Sequence, residues 1–318
     1  MTQYKWKVLV TAPYFQGVYG RYAHRMEQMG LEVVLPRVKE RLSEAELLPI
    51  IADFDGVISG DDEFTETVFR AAKNLKVISK WGTGIDSIDS EAASRLGIAI
   101  RNTPGAFSEP VADTVFAYIL AFFRGVHKQD LEMREGVWNK RTCFALKDLT
   151  LGIVGVGNCG KAVARRAVGF GLRILGNDIV KVEGSFVDET GIEMTQLDEL
   201  LEQSDIVSMN CDLNSTSYRL MTGERFAKTK VGCYYISTCR GPVTDEKALI
   251  EALRSGHLAG AGLDVFEEEP LPLDSPLRGM DNVLLSPHNA NSDPATAERI
   301  HESTLRHLTE ELERGDLL

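Results

Sequence analysis

The stretch Leu149–Asp178, LTLGIVGVGNCGKAVARRAVGFGLRILGND, decides how the rest of the chain is read. An apolar run (Leu151, Ile153, Val154) breaks into Gly155-Val156-Gly157-Asn158-Cys159-Gly160, and the chain turns amphipathic and helical from Lys161. A second short apolar run, Leu172–Leu175, leads to Asp178, about twenty residues past the glycines, as the dinucleotide-binding fingerprint requires. Gly155 permits the tight turn, Gly157 lets the backbone approach a pyrophosphate, and Gly160 allows close packing of helix on strand. Strand, glycine turn, helix, strand and acid together predict a dinucleotide site; a lone Gly-x-Gly-x-x-Gly would not. The fingerprint usually begins a domain, and here it begins near the middle of the chain.

What precedes it is a second alternation of strand and helix signals. Short apolar runs at Val8–Val10, Val33–Leu35, Val57–Ser59, Val77–Ser79 and Ile98–Ile100 predict strands of an open, mostly parallel α/β sheet. The Ser43-Glu44-Ala45-Glu46 capping box opens one of the intervening helices. After the turn cluster Asn102-Thr103-Pro104-Gly105, Pro110–Val126 reads as a long, largely apolar helix, buried against both domains or against a second subunit. From Leu149 the rhythm restarts and repeats strand–helix six times to about Pro287. Pro294–Arg314 reads as one amphipathic helix with Ile300, Leu305, Leu308 and Leu312 on its apolar face. Periodicity leaves that helix two homes, the second sheet or the first.

At 318 residues the chain suggests two domains. A net charge of -12 argues against a nucleic-acid partner, since phosphate binding needs a basic surface. The N-terminal residues do not read as a signal peptide, and Val111–Phe123, which carries Asp113, is too short to span a bilayer. Cys143, Cys159, Cys211, Cys233 and Cys239 are odd in number and lack a C-x-x-C pair. That fits reduced thiols, no structural metal, and a cytoplasmic protein.

In open α/β sheets, ligands bind beyond the carboxyl ends of the strands. At those positions the second half of the chain carries the glycine turn, Asp178, Asn210-Cys211-Asp212, Thr238-Cys239-Arg240, Asp264 with Glu267-Glu268-Glu269, and Ser286-Pro287-His288. A guanidinium at Arg240 can clamp a carboxylate and polarise the adjacent carbonyl. An imidazole at His288 suits proton donation to a carbonyl that receives hydride, because it titrates near neutrality. A carboxylate hydrogen-bonded to it favours imidazolium and fixes the tautomer. The small residues before Asp264 (Gly260, Ala261, Gly262) predict that something flat packs close by. In the first half, Lys80–Asp86 offers backbone amides in a Gly-x-Gly loop, a tight turn that can also nest an anion.

The segments KWGTGIDSID (80–89), NTPGAFSEPVADTV (102–115), LGIVGVGNCGKAVA (151–164), CRGPVTDEKALIEAL (239–253), GAGLDVFEEEPL (260–271) and NVLLSPHNA (282–290) resemble the D-isomer-specific 2-hydroxyacid dehydrogenase family. The nearest branches are the phosphoglycerate dehydrogenase-like and glyoxylate/hydroxypyruvate reductase-like ones. The resemblance implies two doubly wound parallel-sheet domains. A Rossmann dinucleotide-binding domain (102–289) would be inserted into a flavodoxin-like substrate domain (1–101 plus 290–318), which would give the tail helix to the first domain. It implies Arg240, Glu269 and His288 as catalytic residues, with Glu269, immediately before Pro270, as the partner of the histidine. For NAD it implies Gly155, Gly157, Asn158, Cys159, Gly160, Asp178, Thr238, Cys239 and Asp264, the last holding the nicotinamide amide and Asp178 the adenosine ribose. Thr83 and Gly84 would hold the substrate carboxylate together with Arg240. A homodimer built around the 110–126 helix region is also implied, as is closure of the domains on the substrate.

Departures from the family pattern are specific. Asn158-Cys159 replaces a frequent Arg-Ile pair, Asp113 stands where Glu is usual, and Asn210 where His is frequent. Ser59-Gly60 follows the third strand, where enzymes of 3-phosphoglycerate often carry arginine. The expected activity is therefore NAD-dependent hydride exchange with a small D-2-hydroxy acid or its 2-keto acid, with Asp178 disfavouring NADP. The alternative is an NADH-sensing, corepressor-like binding protein. A methyltransferase would leave Arg240, Glu269 and His288 without a role. Which 2-hydroxy acid is bound is not written in any motif.

Overall fold

The computed structural model describes residues 4–315. The chain divides into two compact units, one made of the residues up to Phe107 together with those from Asp293, the other of Ser108–Ser292. Each unit has its own parallel sheet.

In the first unit the strands are β1 (Trp6–Val10), β2 (Leu31–Val34), β3 (Gly56–Ser59), β4 (Val77–Lys80) and β5 (Ala99–Arg101). They lie in the order β2-β1-β3-β4-β5, all parallel, which is the flavodoxin-like winding. The two central strands, β3 and β4, are buried along their whole length, as expected of parallel strands covered on both faces. The capping box forms as expected, with Glu46 accepting from both the Ser43 amide and its hydroxyl.

The tail helix, Pro294–Gly315, packs on this sheet. Leu308 and Leu312 lie over Gly56, where a Cβ would come within 2.7 Å of Leu308 Cδ1, so the missing side chain of the strand makes room for the helix. Ser79 Oγ donates to the Thr304 carbonyl at 2.8 Å, and Trp81 Nε1 donates to His301 Nδ1 at 2.9 Å. Periodicity left this helix two homes; packing chooses the first sheet.

The second unit contains β6 (Thr150–Val154), β7 (Arg173–Asn177), β8 (Glu193–Met194), β9 (Ile206–Met209), β10 (Cys233–Ser237), β11 (Leu258–Leu263) and β12 (Val283–Leu285). The order β12-β11-β10-β9-β6-β7-β8, again all parallel, reverses between β6 and β9, the switch point of a Rossmann sheet. Apolar cores cover both faces, one including Tyr235 and Phe226, the other Ile119, Val163 and Ile236. The helix Ser108–Arg124 lies in the second of these cores.

The limits of the units differ from 101/102 and 289/290 for local reasons. Asn102 Nδ2 donates to the Thr83 carbonyl at 2.6 Å, the Thr103 amide donates to Gly82 at 2.9 Å, and Phe107 packs on Trp81, which ties 102–107 to the first unit. The Ala290 amide donates to the Asp264 carboxylate at 2.9 Å, so the chain belongs to the second unit through Ser292. Among the described residues, no helix is long and apolar enough to cross a membrane. No cluster of His, Cys, Asp or Glu among them is able to hold a metal ion.

Candidate active site

The glycine turn leaves β6 and enters the helix Asn158–Phe170, with Gly157 as its N-cap. Gly155 is in the left-handed region (φ 88°), and a Cβ there would meet the Cys211 amide nitrogen at 2.6 Å. A Cβ on Gly160 would collide with the Gly155 carbonyl. Gly157, by contrast, is exposed and has open space where a side chain would stand. Two glycines are therefore demanded by the turn itself, and the third keeps a helix N-terminus accessible to an anion. Asn158 is exposed beside it. The Cys159 side chain turns inward, its Sγ 4.0 Å from Ser108 Oγ, and burial pushes its thiol pKa up, so it presents backbone rather than thiol to the turn.

Asp178 follows β7 and is locked to the turn. Its Oδ2 accepts from the Val156 amide at 2.6 Å and its Oδ1 from the Val180 amide at 2.8 Å. Each oxygen retains a second lone pair for a hydroxyl donor. After β10, Thr238 Oγ1 is buried and has no hydrogen-bond partner among the described residues. A buried hydroxyl without a partner is costly, so a ligand atom at this edge would satisfy it. The open helix N-terminus, the acid after β7 and this hydroxyl are the features a dinucleotide needs, and they fit NAD.

Cys239 and Arg240 come next. The neighbouring Cys211 thiol lowers the Cys239 pKa, against the burial that would raise it. Arg240 Nη1 donates to the Cys239 carbonyl at 2.9 Å. Gly241 has no room for a Cβ, which would strike the Phe266 carbonyl. That close approach seats the Arg240 turn on the segment leading to Glu269, and Glu269 feels the guanidinium charge.

Glu269 and His288 meet directly. His288 Nδ1 lies 2.8 Å from Glu269 Oε2, while Glu269 Oε1 accepts from the Phe266 amide at 2.9 Å. Their side chains are 32 % and 34 % exposed, so the pair borders solvent and is not sealed in the core. Burial pushes the Glu269 carboxyl up, but the His288 hydrogen bond and charge, the Phe266 amide and the Arg240 charge outweigh it and hold the group below its usual value. Glu267 and Glu268 do not make this contact; Glu267 faces Arg219 and the Glu246 amide.

The Asp264 side chain is turned to the loop that carries the histidine. The residue is 1 % exposed, and its Oδ1 accepts from the Ser286 hydroxyl and, at 2.8 Å, from the Asn289 amide. Its Oδ2 accepts from the Ala290 amide, and its backbone carbonyl accepts from the His288 amide at 2.8 Å. His288 itself has φ 49°, a conformation uncommon for a residue with a Cβ. The flat group expected against Gly260–Gly262 is also identified: it is the ring of Tyr118, whose Cγ lies 2.6 Å from where a Cβ of Gly262 would be.

Thr83 and Gly84 lie in the first unit, in the loop after β4. Thr83 Oγ1 donates to the Thr103 carbonyl at 3.0 Å, and among the described residues the Thr83 and Gly84 amides donate to no protein acceptor. Sequence reasoning passed over Tyr118, hidden in an apolar helix, and Ser286, which was noted only by its place after β12.

A Rossmann sheet whose carboxyl edge carries an anion-ready glycine turn and an Arg–Glu–His set defines a nicotinamide-dinucleotide oxidoreductase. The comparisons make this particular. Residues 116–290 match the family described as "D-isomer specific 2-hydroxyacid dehydrogenase, NAD binding domain". A glyoxylate reductase of Korarchaeum cryptofilum is 39 % identical over 86 % of this chain and 84 % of that one. A hydroxypyruvate reductase of Thermotoga maritima is 36 % identical over 82 % of this chain and 86 % of its own length. The solved D-lactate dehydrogenase of Aquifex aeolicus, complexed with NAD and lactic acid, superposes with a TM-score of 0.86 at 27 % identity, covering 98 % of this chain and 96 % of that one. The chain belongs to the D-isomer specific 2-hydroxyacid dehydrogenase family, and its cofactor is NAD.

Gly241→Ala should force the Arg240 turn away from the Phe266 segment. Overpacking of this kind costs about 1–3 kcal/mol. A lowered melting temperature together with reduced turnover is expected, and a variant with wild-type melting and kinetics would contradict the packing argument.

Proposed function

We propose that this NAD-dependent dehydrogenase interconverts a small D-2-hydroxy acid and its 2-keto acid, with His288 as acid/base, Glu269 as its orienting partner and Arg240 as the carboxylate-binding cation. The observation that carries the reading is the 2.8 Å contact between His288 and Glu269 beside Arg240. NAD, when bound, supplies or accepts the hydride. Arg240 polarises the substrate carbonyl, and His288 gives the forming alkoxide its proton in reduction or takes the hydroxyl proton in oxidation. With Nδ1 turned to Glu269, Nε2 is the ring atom that exchanges this proton. Glu269 is held below the ordinary carboxylate value, so its charge persists into mildly acid solution, where it keeps the imidazolium oriented.

Within the cofactor-binding half, Gly155, Gly157, Asn158, Cys159 and Gly160 shape the pyrophosphate turn, and Asp178 takes the adenosine ribose. Thr238, Cys239 and Asp264 line the nicotinamide end. Thr83 and Gly84 offer amides to the substrate carboxylate. The names of the relatives, glyoxylate reductase and hydroxypyruvate reductase, support a keto acid with a very small substituent. Ser59-Gly60, in place of an arginine, weighs against a phosphorylated substrate.

A homodimer is proposed on the exposed apolar side chains Val126, Leu131, Met133, Val137, Trp138 and Phe144, a run long enough to need a cover. A cytoplasmic setting is supported by the free thiols of all five cysteines.

NADH oxidation with glyoxylate, hydroxypyruvate, pyruvate and larger 2-keto acids should show turnover with the smallest of them; tight NADH binding without turnover on any would overturn the reading in favour of a sensor. His288→Ala should lower turnover about 10²–10⁴-fold while NADH binding is retained; unchanged turnover would remove the histidine from its role. Asp178→Ala should raise the NADPH-to-NADH ratio of kcat/KM, and a wild type that already prefers NADPH would contradict the assignment. Sedimentation should give twice the chain mass, falling toward one on Trp138→Asp; a monomeric wild type would refute the dimer.

A further inference from the structure

The loop that carries His288 is tied at both ends to one helix. Tyr118, on Ser108–Arg124, places its hydroxyl 2.6 Å from Ser286 Oγ and 3.2 Å from the Leu263 carbonyl. Ser286 spends its proton on Asp264, so the one proton of the phenol is shared between Ser286 Oγ and the Leu263 carbonyl. One helical turn earlier, Thr114 Oγ1, which donates to the Pro110 carbonyl of its own helix at 3.1 Å, also lies 3.4 Å from the carbonyl of Ala290 at the far end of the loop. Positions four apart share a face of a helix, so Thr114 and Tyr118 bracket the loop from one side. The phenol cannot drift toward the sheet, because its ring already rests on Gly262. Burial pushes its pKa up to about 12, so it remains a donor at every working pH.

We propose that Tyr118 and Ser286 are positioning residues for His288: the helix Ser108–Arg124 sets the imidazole through the relay Tyr118 to Ser286 to Asp264. The need for such a relay is local. His288 is held at φ 49°, away from the conformations a residue with a Cβ prefers, and hydrogen bonds around Asp264 are what keep it there. When the first link is cut, the loop gains freedom to relax and the ring loses its register with Glu269. A displacement of about 1 Å at a reacting group costs on the order of 10²-fold in rate. Neither residue touches the reacting atoms, so both act through the histidine. The inference rests on the reading of His288 as acid/base.

The test is a double-mutant cycle in the intact protein, read by steady-state reduction of glyoxylate and by NADH fluorescence titration. Tyr118→Phe, nearly isosteric, should lower kcat roughly 10-fold or more with the NADH Kd unchanged, and Ser286→Ala should do the same. Ser286→Thr, which restores the hydroxyl, should recover most of the rate. In a His288→Ala background, Tyr118→Phe should have no further effect. Wild-type kcat in Tyr118→Phe, or an equal fractional loss with and without His288, would overturn the relay. If His288→Ala itself leaves turnover intact, the underlying acid/base reading fails instead.

Discussion

The carboxylate of Asp264 is the interaction on which the geometry of the His288 loop depends. It ends β11 buried, and it gathers the Ser286 hydroxyl and the Asn289 and Ala290 amides around its two oxygens. The polypeptide between these donors has little choice of path, and at its centre His288 takes a backbone conformation that a residue with a Cβ rarely adopts. The imidazole thereby meets Glu269, which arrives on the segment leaving the same strand. One buried acid thus converts two strand ends into a fixed pair of titratable groups.

The rest of the site is positioned by omission of side chains. Gly241 lets the Arg240 turn settle on the Phe266 backbone, Gly160 lets a helix close on the Gly155 carbonyl, and Gly262 lets the Tyr118 ring lie on the sheet. Each missing Cβ is a distance of approach that no other residue allows. The proposed catalytic side chains gain their geometry from these contacts more than from the strands alone, which explains why so many of the site's neighbours are small. The first unit is built by the same rule where Gly56 admits Leu308 of the tail helix.

Much of this was legible in the sequence because it is written in local patterns. Glycine spacing and strand-terminal polar residues are short-range signals, and the fold they announce is the one observed; Glu269 is set apart from Glu267 and Glu268 only by the family resemblance. What was not legible depends on contacts between distant segments. Tyr118 sits within an apolar helical run and reads as core; only the approach of Ser286, far along the chain, makes its hydroxyl part of a network. Asp264 reads as an ordinary strand end until the 286–290 amides turn toward it. The small residues at 260–262 signalled a flat neighbour correctly, but nothing in them distinguishes an aromatic ring of the chain from a bound ring. The two-residue strand β8 has too little pattern to register at all. The tail helix carried an unambiguous apolar face and no sign of which sheet it would cover.

Glu269 is proposed to sustain the charge of His288 during turnover, and single-turnover reduction of a 2-keto acid followed across pH tests this most directly. In the proposed reduction the imidazolium gives up its proton, and Glu269 is the negative charge placed to favour it. Glu269→Gln keeps the shape of the contact and removes the charge, so the alkaline limb of the rate profile should move to lower pH by about one unit or more. A profile identical to wild type would contradict the pairing of these two residues as the source of the proton.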